Sequence, residues 1–249
     1  NADVFQRENF TWNLSFNATY LTNSIKKLNN VDDPDYVGLP VGGISGGVGN
    51  TVQTQQVGQP QFSFLVYEQV YDESGNPLEG VYVDQNGDGV INDSDKRIFN
   101  NPNPDYLFGL SSYMTFHQNW DFSFTMRASL GNYVYNNVAS ANGVYAGVWE
   151  LNSLRNAHSS VLDTDFREQQ FWSDYYVQDA SFLRMDNVAL GYSFSNLNEG
   201  NTRLRIYSTV QNVFVLTPYE GLDPEINGGI DNNFYPRPRT FLLGLNLNF

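Results

Sequence analysis

The stretch Phe241-Leu242-Leu243-Gly244-Leu245-Asn246-Leu247-Asn248-Phe249 alternates without a break. A strand turns successive side chains to opposite faces. Phe241, Leu243, Leu245, Leu247 and Phe249 therefore make one apolar face, and Leu242, Gly244, Asn246 and Asn248 a mostly polar one. Two architectures write such a strand. One is a transmembrane β-barrel, with one face to lipid and one to a wet lumen. The other is the last strand of a soluble β-sandwich. Nine residues do not choose between them.

Longer runs decide it. From 10 to 20, Phe10, Trp12, Leu14, Phe16, Ala18 and Tyr20 oppose Thr11, Asn13, Ser15, Asn17 and Thr19. From 120 to 130, Trp120, Phe122, Phe124, Met126, Ala128 and Leu130 oppose Asp121, Ser123, Thr125, Arg127 and Ser129. Globular strands usually run about 5–6 residues, whereas a tilted membrane strand needs about 9–11. Weaker patterns predict strands at 106–116, 181–195, 202–215 and 61–71. Phe10, Trp12, Phe16, Trp120, Phe122, Phe124, Phe241 and Phe249 are expected to face lipid. Thr11, Asn13, Asn17, Ser123, Arg127, Asn246 and Asn248 are expected to face the lumen.

Composition agrees. Of 249 residues, 15% are aromatic and only 16% charged, a sparse charge for a soluble surface. Mean hydropathy is nevertheless -0.42, and no segment reaches the roughly 18 apolar residues of a membrane helix. The net charge is -14, and 21 of the 27 carboxylates fall in 23–57, 72–105, 132–180 and 216–237, read as loops. Such a surface excludes nucleic-acid binding, which needs a basic face. The absence of cysteine excludes disulfides and thiolate metal sites. The start at Asn1, without Met or a signal peptide, is read as a mature product or a C-terminal piece of something longer.

Barrels of this kind place short turns on the periplasmic side and long loops outside. Read back from Phe249, the connections alternate: 216–237 long, 196–201 short, 132–180 long, 117–119 short, 72–105 long. The scheme then requires a short turn before 61, for which Gly58-Gln59-Pro60 is suited, and a descending strand at 49–57. The expectation is an all-β, antiparallel meander of about eight strands with long outer loops.

Asp84-Gln85-Asn86-Gly87-Asp88-Gly89-Val90-Ile91-Asn92-Asp93-Ser94-Asp95 has the spacing of a calcium loop. Asp84, Asn86 and Asp88 supply side-chain oxygens at positions 1, 3 and 5, and Gly89 allows the sharp turn. Val90 offers its carbonyl, Asn92 acts through water, and Asp95 closes the loop in place of the usual Glu. Ile91 is expected to pack inward. The competing reading is an Asx-rich turn that binds nothing. Bound Ca2+ would have a structural role.

Other signals carry less. His117 and His158 stand alone, with no triad order or metal-binding pair. Asp163, Asp165 and Glu168 read as a solvated loop rather than a glycosidase acid–base pair. The Gly42–Gly49 tract lacks the context of a phosphate loop. Loop aromatics, among them Trp149, Trp172, Tyr175, Tyr176, Tyr219, Phe234 and Tyr235, are candidates for stacking on a substrate or a partner, or for packing the loops together. The expected contacts are Trp149, Trp172, Tyr219, Phe234 and Tyr235.

Five segments now carry a family likeness. They are Phe10-Thr11-Trp12 with Asn17 and Asn23; Val57-Gly58-Gln59-Pro60; and Asp84 to Asp95 with Asn101-Pro102-Asn103-Pro104. The fourth is Ser181-Phe182-Leu183-Arg184-Met185-Asp186-Asn187-Val188 with Leu190-Gly191-Tyr192. The fifth is Gln211-Asn212-Val213-Phe214 with Tyr219-Glu220-Gly221-Leu222-Asp223-Pro224-Glu225 and Tyr235-Pro236-Arg237-Pro238-Arg239-Thr240. Singly weak and jointly specific, they span nearly the whole chain. It resembles the C-terminal third of SusC/RagA-type TonB-dependent outer-membrane transporters.

The resemblance implies a multi-pass outer-membrane barrel of about twenty-two strands with a plug, importing glycans or peptides. It implies a SusD-like surface lipoprotein as lid, the TonB complex reached through an N-terminal part, and outer-membrane lipid around the wall. It also implies that Phe249 is the recognition signal for barrel assembly. Residues 1–249 would then be non-enzymatic wall and loops, with the calcium-like loop at 84–95 outside the cell and an open seam at the last strand. The rivals are a soluble, calcium-stabilised β-sandwich that binds carbohydrate, and a glycoside hydrolase built on that sandwich.

Overall fold

A computed structural model describes residues 1–29, 38–146, 148, 156–195, 202–233 and 235–248. Its main element is one antiparallel sheet of seven strands. In spatial order these are Ala2–Arg7, Phe10–Tyr20, Tyr106–Phe116, Trp120–Leu130, Phe182–Ser195, Arg203–Leu216 and Thr240–Asn248. Each strand pairs with its predecessor in this list, so the sheet is a meander with Ala2–Arg7 and Thr240–Asn248 at its two open edges.

The registers fix the faces. Trp12 lies opposite Met114, Phe16 opposite Leu110 and Phe124 opposite Val188, while Asn13 lies opposite Tyr113 and Ser123 opposite Ala189. The apolar face is uncovered: Leu243 is 80% exposed, Phe241 72% and Phe16 61%. No second sheet packs on it among the described residues, so the sandwich reading fails. Aromatic rings gather in two bands. Phe10 and Phe116 (5.0 Å) and Trp120 and Tyr192 (4.7 Å) lie near the short turns, and Tyr20 and Tyr106 (5.2 Å) near the long connections. Paired girdles of this kind flank the apolar band of membrane barrels.

Three of the expected strands match to the residue: Phe10–Tyr20, Tyr106–Phe116 and Trp120–Leu130. Two expected wall strands lie elsewhere. Thr51–Gln55 and Ser63–Val66 join Leu39–Gly43 and Arg97–Ile98 in a separate four-stranded sheet. At five and four residues they are too short to span a bilayer, and Val52, Phe64 and Val66 are fully buried there. Gly58-Gln59-Pro60 does turn, but inside this smaller sheet's connections. One wall strand was not anticipated. Ala2–Arg7 pairs with Phe10–Tyr20 through a register shift between Asp3 and Phe5, and that irregularity breaks the two-residue period. With these exchanges, long and short still alternate: 8–9 and 117–119 are short, whereas 21–105, 131–181 and 217–239 are long. The 196–201 turn and Phe249 lie outside the described residues.

The dry core belongs to the connections, not to the wall. Ile44, Val52, Phe64 and Val66 from 21–105 pack with Tyr135, Ala139, Val144, Phe166, Tyr176 and Val177 from 131–181, and Ile230 from 217–239 joins them. Backbone bonds stitch the three together: Tyr67 donates to Trp172 (2.8 Å), and Asp231 donates to Tyr135 (3.0 Å). The outer loops thus form one folded module.

Nitroxide labels at Trp12 and Asn13 will report opposite surroundings in the membrane-embedded receptor. Label 12 will be relaxed by oxygen and label 13 by a water-soluble nickel chelate. Equal accessibility of the two would refute the assignment of faces.

Candidate functional site

Charge enters this wall only in pairs. At the end near the short turns, Arg205 meets Asp121 across the polar face through Nε (2.8 Å) and Nη2 (2.5 Å). The two side chains lie flat over Gly191, where a Cβ would collide with both. Glycine here is a matter of space. Burying or half-burying such charges is tolerable only when they are matched.

At the opposite end, near the long connections, a larger cluster forms. Arg184 is 2% exposed and holds Asp223 at 2.6 Å and the Asn212 side-chain oxygen at 2.9 Å. Arg127 takes Glu225 with both terminal nitrogens (2.5 and 2.8 Å) and Asp186 with Nε (3.0 Å). Arg237 reaches Glu225 (2.8 Å) and Asp223 (3.4 Å). Burial by itself would raise the Glu225 pKa, but the Arg127 hydrogen bonds and the neighbouring guanidinium charges outweigh it and hold the carboxyl below its usual value. Local backbone makes this possible. The register slips between Met185 and Asn187, and Asn212 adopts φ 51°. A bulge re-aims side chains, here Asp186 toward Arg127. Three arginines and three carboxylates thereby tie residues 223–237 to three wall strands. The sequence had offered Arg127 only as a lumen residue, and the rest of the cluster only within family segments. The missed signal was an arginine inside an otherwise uncharged strand, which demands a partner.

The Asp84–Asp95 loop folds into consecutive Asx turns. Asp84 accepts from the Gly87 and Gly89 amides (2.7 and 2.8 Å), Asn86 from Asp88 (2.9 Å) and Asp88 from Val90 (2.8 Å). The Gly89 amide is the largest influence holding the Asp84 carboxyl below its usual range. Asp95, fully buried, accepts from Gln85 (3.0 Å) and Asn92 (2.8 Å), completing a capping box on the 3-10 turn Asp93–Asp95. Asn92 caps Ser94 (2.9 Å), and its amide group donates to the Val90 carbonyl (3.1 Å). Among the described residues, no three acidic or histidine side chains converge as a metal cluster. Each of these oxygens nevertheless keeps further acceptor capacity beyond its amide. Ile91 does not pack inward. It is 41% exposed because the turns point it away from any core.

The aromatic candidates separate. Tyr219 is 4% exposed, packs on Val134 and Ala180, and donates to Asp231 (2.8 Å). It is a packing residue, not a contact. Tyr235 is exposed, and Trp149 and Phe234 lie outside the described residues. Trp172 is half-buried and donates through Nε1 to the Thr51 carbonyl (3.0 Å). Lys96, which directly follows the Asp84–Asp95 loop, lies 4.7 Å over the Trp172 ring and 5.2 Å over Tyr67. Its ammonium also pairs with Asp93 (2.9 Å). Burial, with the Asp93 charge, pushes the Tyr67 hydroxyl up to about 12.

Comparison with known proteins gives the following. Over its whole length the chain is 46% identical to the TonB-dependent receptor SusC of Bacteroides thetaiotaomicron, of which it covers 25%. It is 29% identical to the TonB-dependent receptor P3 of Formosa agariphila, covering 28% of it. The chain thus spans about a quarter of the length of these relatives. Among solved structures, the RagAB peptide transporter superposes on 99% of the chain with a TM-score of 0.73 at 21% identity, and 28% of that chain is covered. RagAB in its "open-open" state gives 0.69 at 22% identity, with 27% covered. No protein-family model matches.

Asp223→Asn leaves Arg184 buried with half its charge partner gone. Removing one member of a buried pair costs about 3–5 kcal/mol. Residues 217–239 of the assembled receptor will then be cut by protease far faster than in the parent. Unchanged cleavage would show that the cluster does not hold the connection in place.

Proposed function

We propose that this chain, which fits a C-terminal fragment of a SusC/RagA-family receptor, serves as wall and outer loops of an outer-membrane TonB-dependent importer of glycans or peptides. The observation that carries the reading is the uncovered, girdled apolar face of the seven-stranded sheet, set against a polar face whose charges are paired. Likeness to SusC over the entire chain supports it. The two unpaired edges take the remaining barrel strands, since a lone edge in lipid would leave backbone groups unsatisfied. Gating and binding, not covalent chemistry, are the mechanism. The outer module presents its surface to substrate and to a SusD-like lid, and energy arrives from the TonB complex through parts of the receptor outside this chain.

The Asp84–Asp95 loop is proposed as a structural calcium site. The donor set supports this: hard oxygens at positions 1, 3, 5, 7, 9 and 12, as calcium prefers. Its role would be to stiffen the 21–105 connection next to Lys96.

Two measurements test these readings. Val188→Arg places a charge on the apolar face near mid-strand and should destabilise the membrane-folded receptor by about 2–4 kcal/mol. Ala189→Arg, one residue on and facing the lumen, should cost far less. Equal costs would sink the membrane-wall reading. For the loop, calcium at tenfold over its dissociation constant should add about 1.4 kcal/mol to the stability of the receptor, visible as a rise in Tm that Asp84→Ala abolishes. If the parent shows no calcium-dependent rise, the loop is an Asx turn and nothing more.

A further inference from the structure

A cleft of ≈ 870 Å³ opens between the Thr51–Gln55 strand and the Asp93–Asp95 turn. Tyr67, Lys96 and Trp172 line it, together with the polar side chains of Thr51, Gln56 and Ser94. Its size falls in the range of about 300–1,000 Å³ typical of small-molecule sites. We propose that this cleft is a binding subsite for an uncharged, polyhydroxylated ligand, an oligosaccharide segment. The proposal rests on the importer reading and narrows it from glycans or peptides to glycans.

The chemistry of the lining decides the class. The two charged groups in the cleft, Asp93 and Lys96, already neutralise each other at 2.9 Å. The Lys96 side chain is 14% exposed and held over two rings. An ionised ligand would have to break that pair and leave one charge poorly solvated, which is costly. A neutral ligand leaves it intact. Thr51, Gln56 and Ser94 make no side-chain hydrogen bond among the described residues, and each can both donate and accept. A sugar, whose hydroxyls do the same, matches such a set. The Tyr67 and Trp172 rings supply apolar surface with polar edges, suited to the mixed faces of a sugar ring.

A peptide fits less well. Extended peptides are commonly held by adding a strand to an open sheet edge. Thr51–Gln55, which forms one side of the cleft, is flanked by Leu39–Gly43 on one side and Ser63–Val66 on the other, so it has no free edge to offer. Position favours recognition too. The cleft is built by the 21–105 and 131–181 connections together, so it exists only when the outer module is folded.

The test uses the full receptor and a residue-specific probe. Oxidation of Trp172 by N-bromosuccinimide is followed by mass spectrometry. A hydrolysate of neutral plant polysaccharides is added in one arm and a peptide digest in another. The expected result is slowed oxidation of Trp172 with the sugar hydrolysate alone, and about tenfold weaker protection in Thr51→Val/Gln56→Ala. These two side chains are small or half-buried, and the parent fold should tolerate their loss. Protection by peptides alone, by neither mixture, or equally in the double variant overturns the proposal. Uptake by cells carrying the receptor separates the two levels. Cells that import either mixture while Trp172 stays unprotected refute the subsite and leave the importer reading standing. Cells that import neither refute the importer reading, and the subsite with it.

Discussion

The buried guanidinium of Arg184 is the constraint around which the outer half of this molecule is arranged. A charge 2% exposed has to be answered on all sides, and the answers come from separate parts of the chain. Asp223 arrives from the last long connection and Asn212 from a bulge in the adjoining strand, while Glu225 links the cluster outward to Arg127 and Arg237. Arg127 and Arg184 also sit 5.6 Å from the Phe182 ring, one on each count. Such a network stabilises little in net terms, because desolvation offsets most of the attraction. What it supplies is geometry: only one placement of 217–239 satisfies every member at once, and a half-satisfied network is worse than none.

This arrangement solves a problem posed by the fold. A barrel wall has no interior of its own in a seven-stranded segment, since one face meets lipid and the other the lumen. The hydrophobic core therefore lies in the long connections, where apolar side chains from three separate loops bury one another. The charge cluster, at the rim, is where the module with a core is fastened to the wall without one. Its members fall within the segments Phe182–Val188, Tyr219–Glu225 and Tyr235–Thr240, which is a physical reason for those motifs to travel together.

Legibility in the sequence followed from how local the governing rule was. Phe10–Tyr20 and Trp120–Leu130 could be read to the residue because the alternation is unbroken and eleven residues long. Ala2–Arg7 could not, because a bulge puts Val4 and Phe5 side by side in sequence and breaks the period. Ser63–Val66 misled in the opposite direction: its apolar residues are those of a strand buried in a core, and periodicity cannot distinguish that core from lipid. Ile91 and Tyr219 failed for one shared reason. Whether a loop side chain points in or out depends on what the rest of the chain packs against it.

By itself the sequence determined the strand type, the two faces of the wall, the meandering antiparallel order and the spacing of the Asp84–Asp95 loop. All of these rest on short-range periods and on donor spacing along a single segment. Only the tertiary structure decided that 21–105 is one folded excursion and not two wall strands, that Tyr219 is core, and that Lys96, Tyr67 and Trp172 meet at one cleft. It likewise decided that Arg127, Arg184 and Arg237 share three carboxylates. These are contacts between residues up to about a hundred positions apart, set by burial and charge neutralisation in three dimensions, for which no local pattern in the chain is a record.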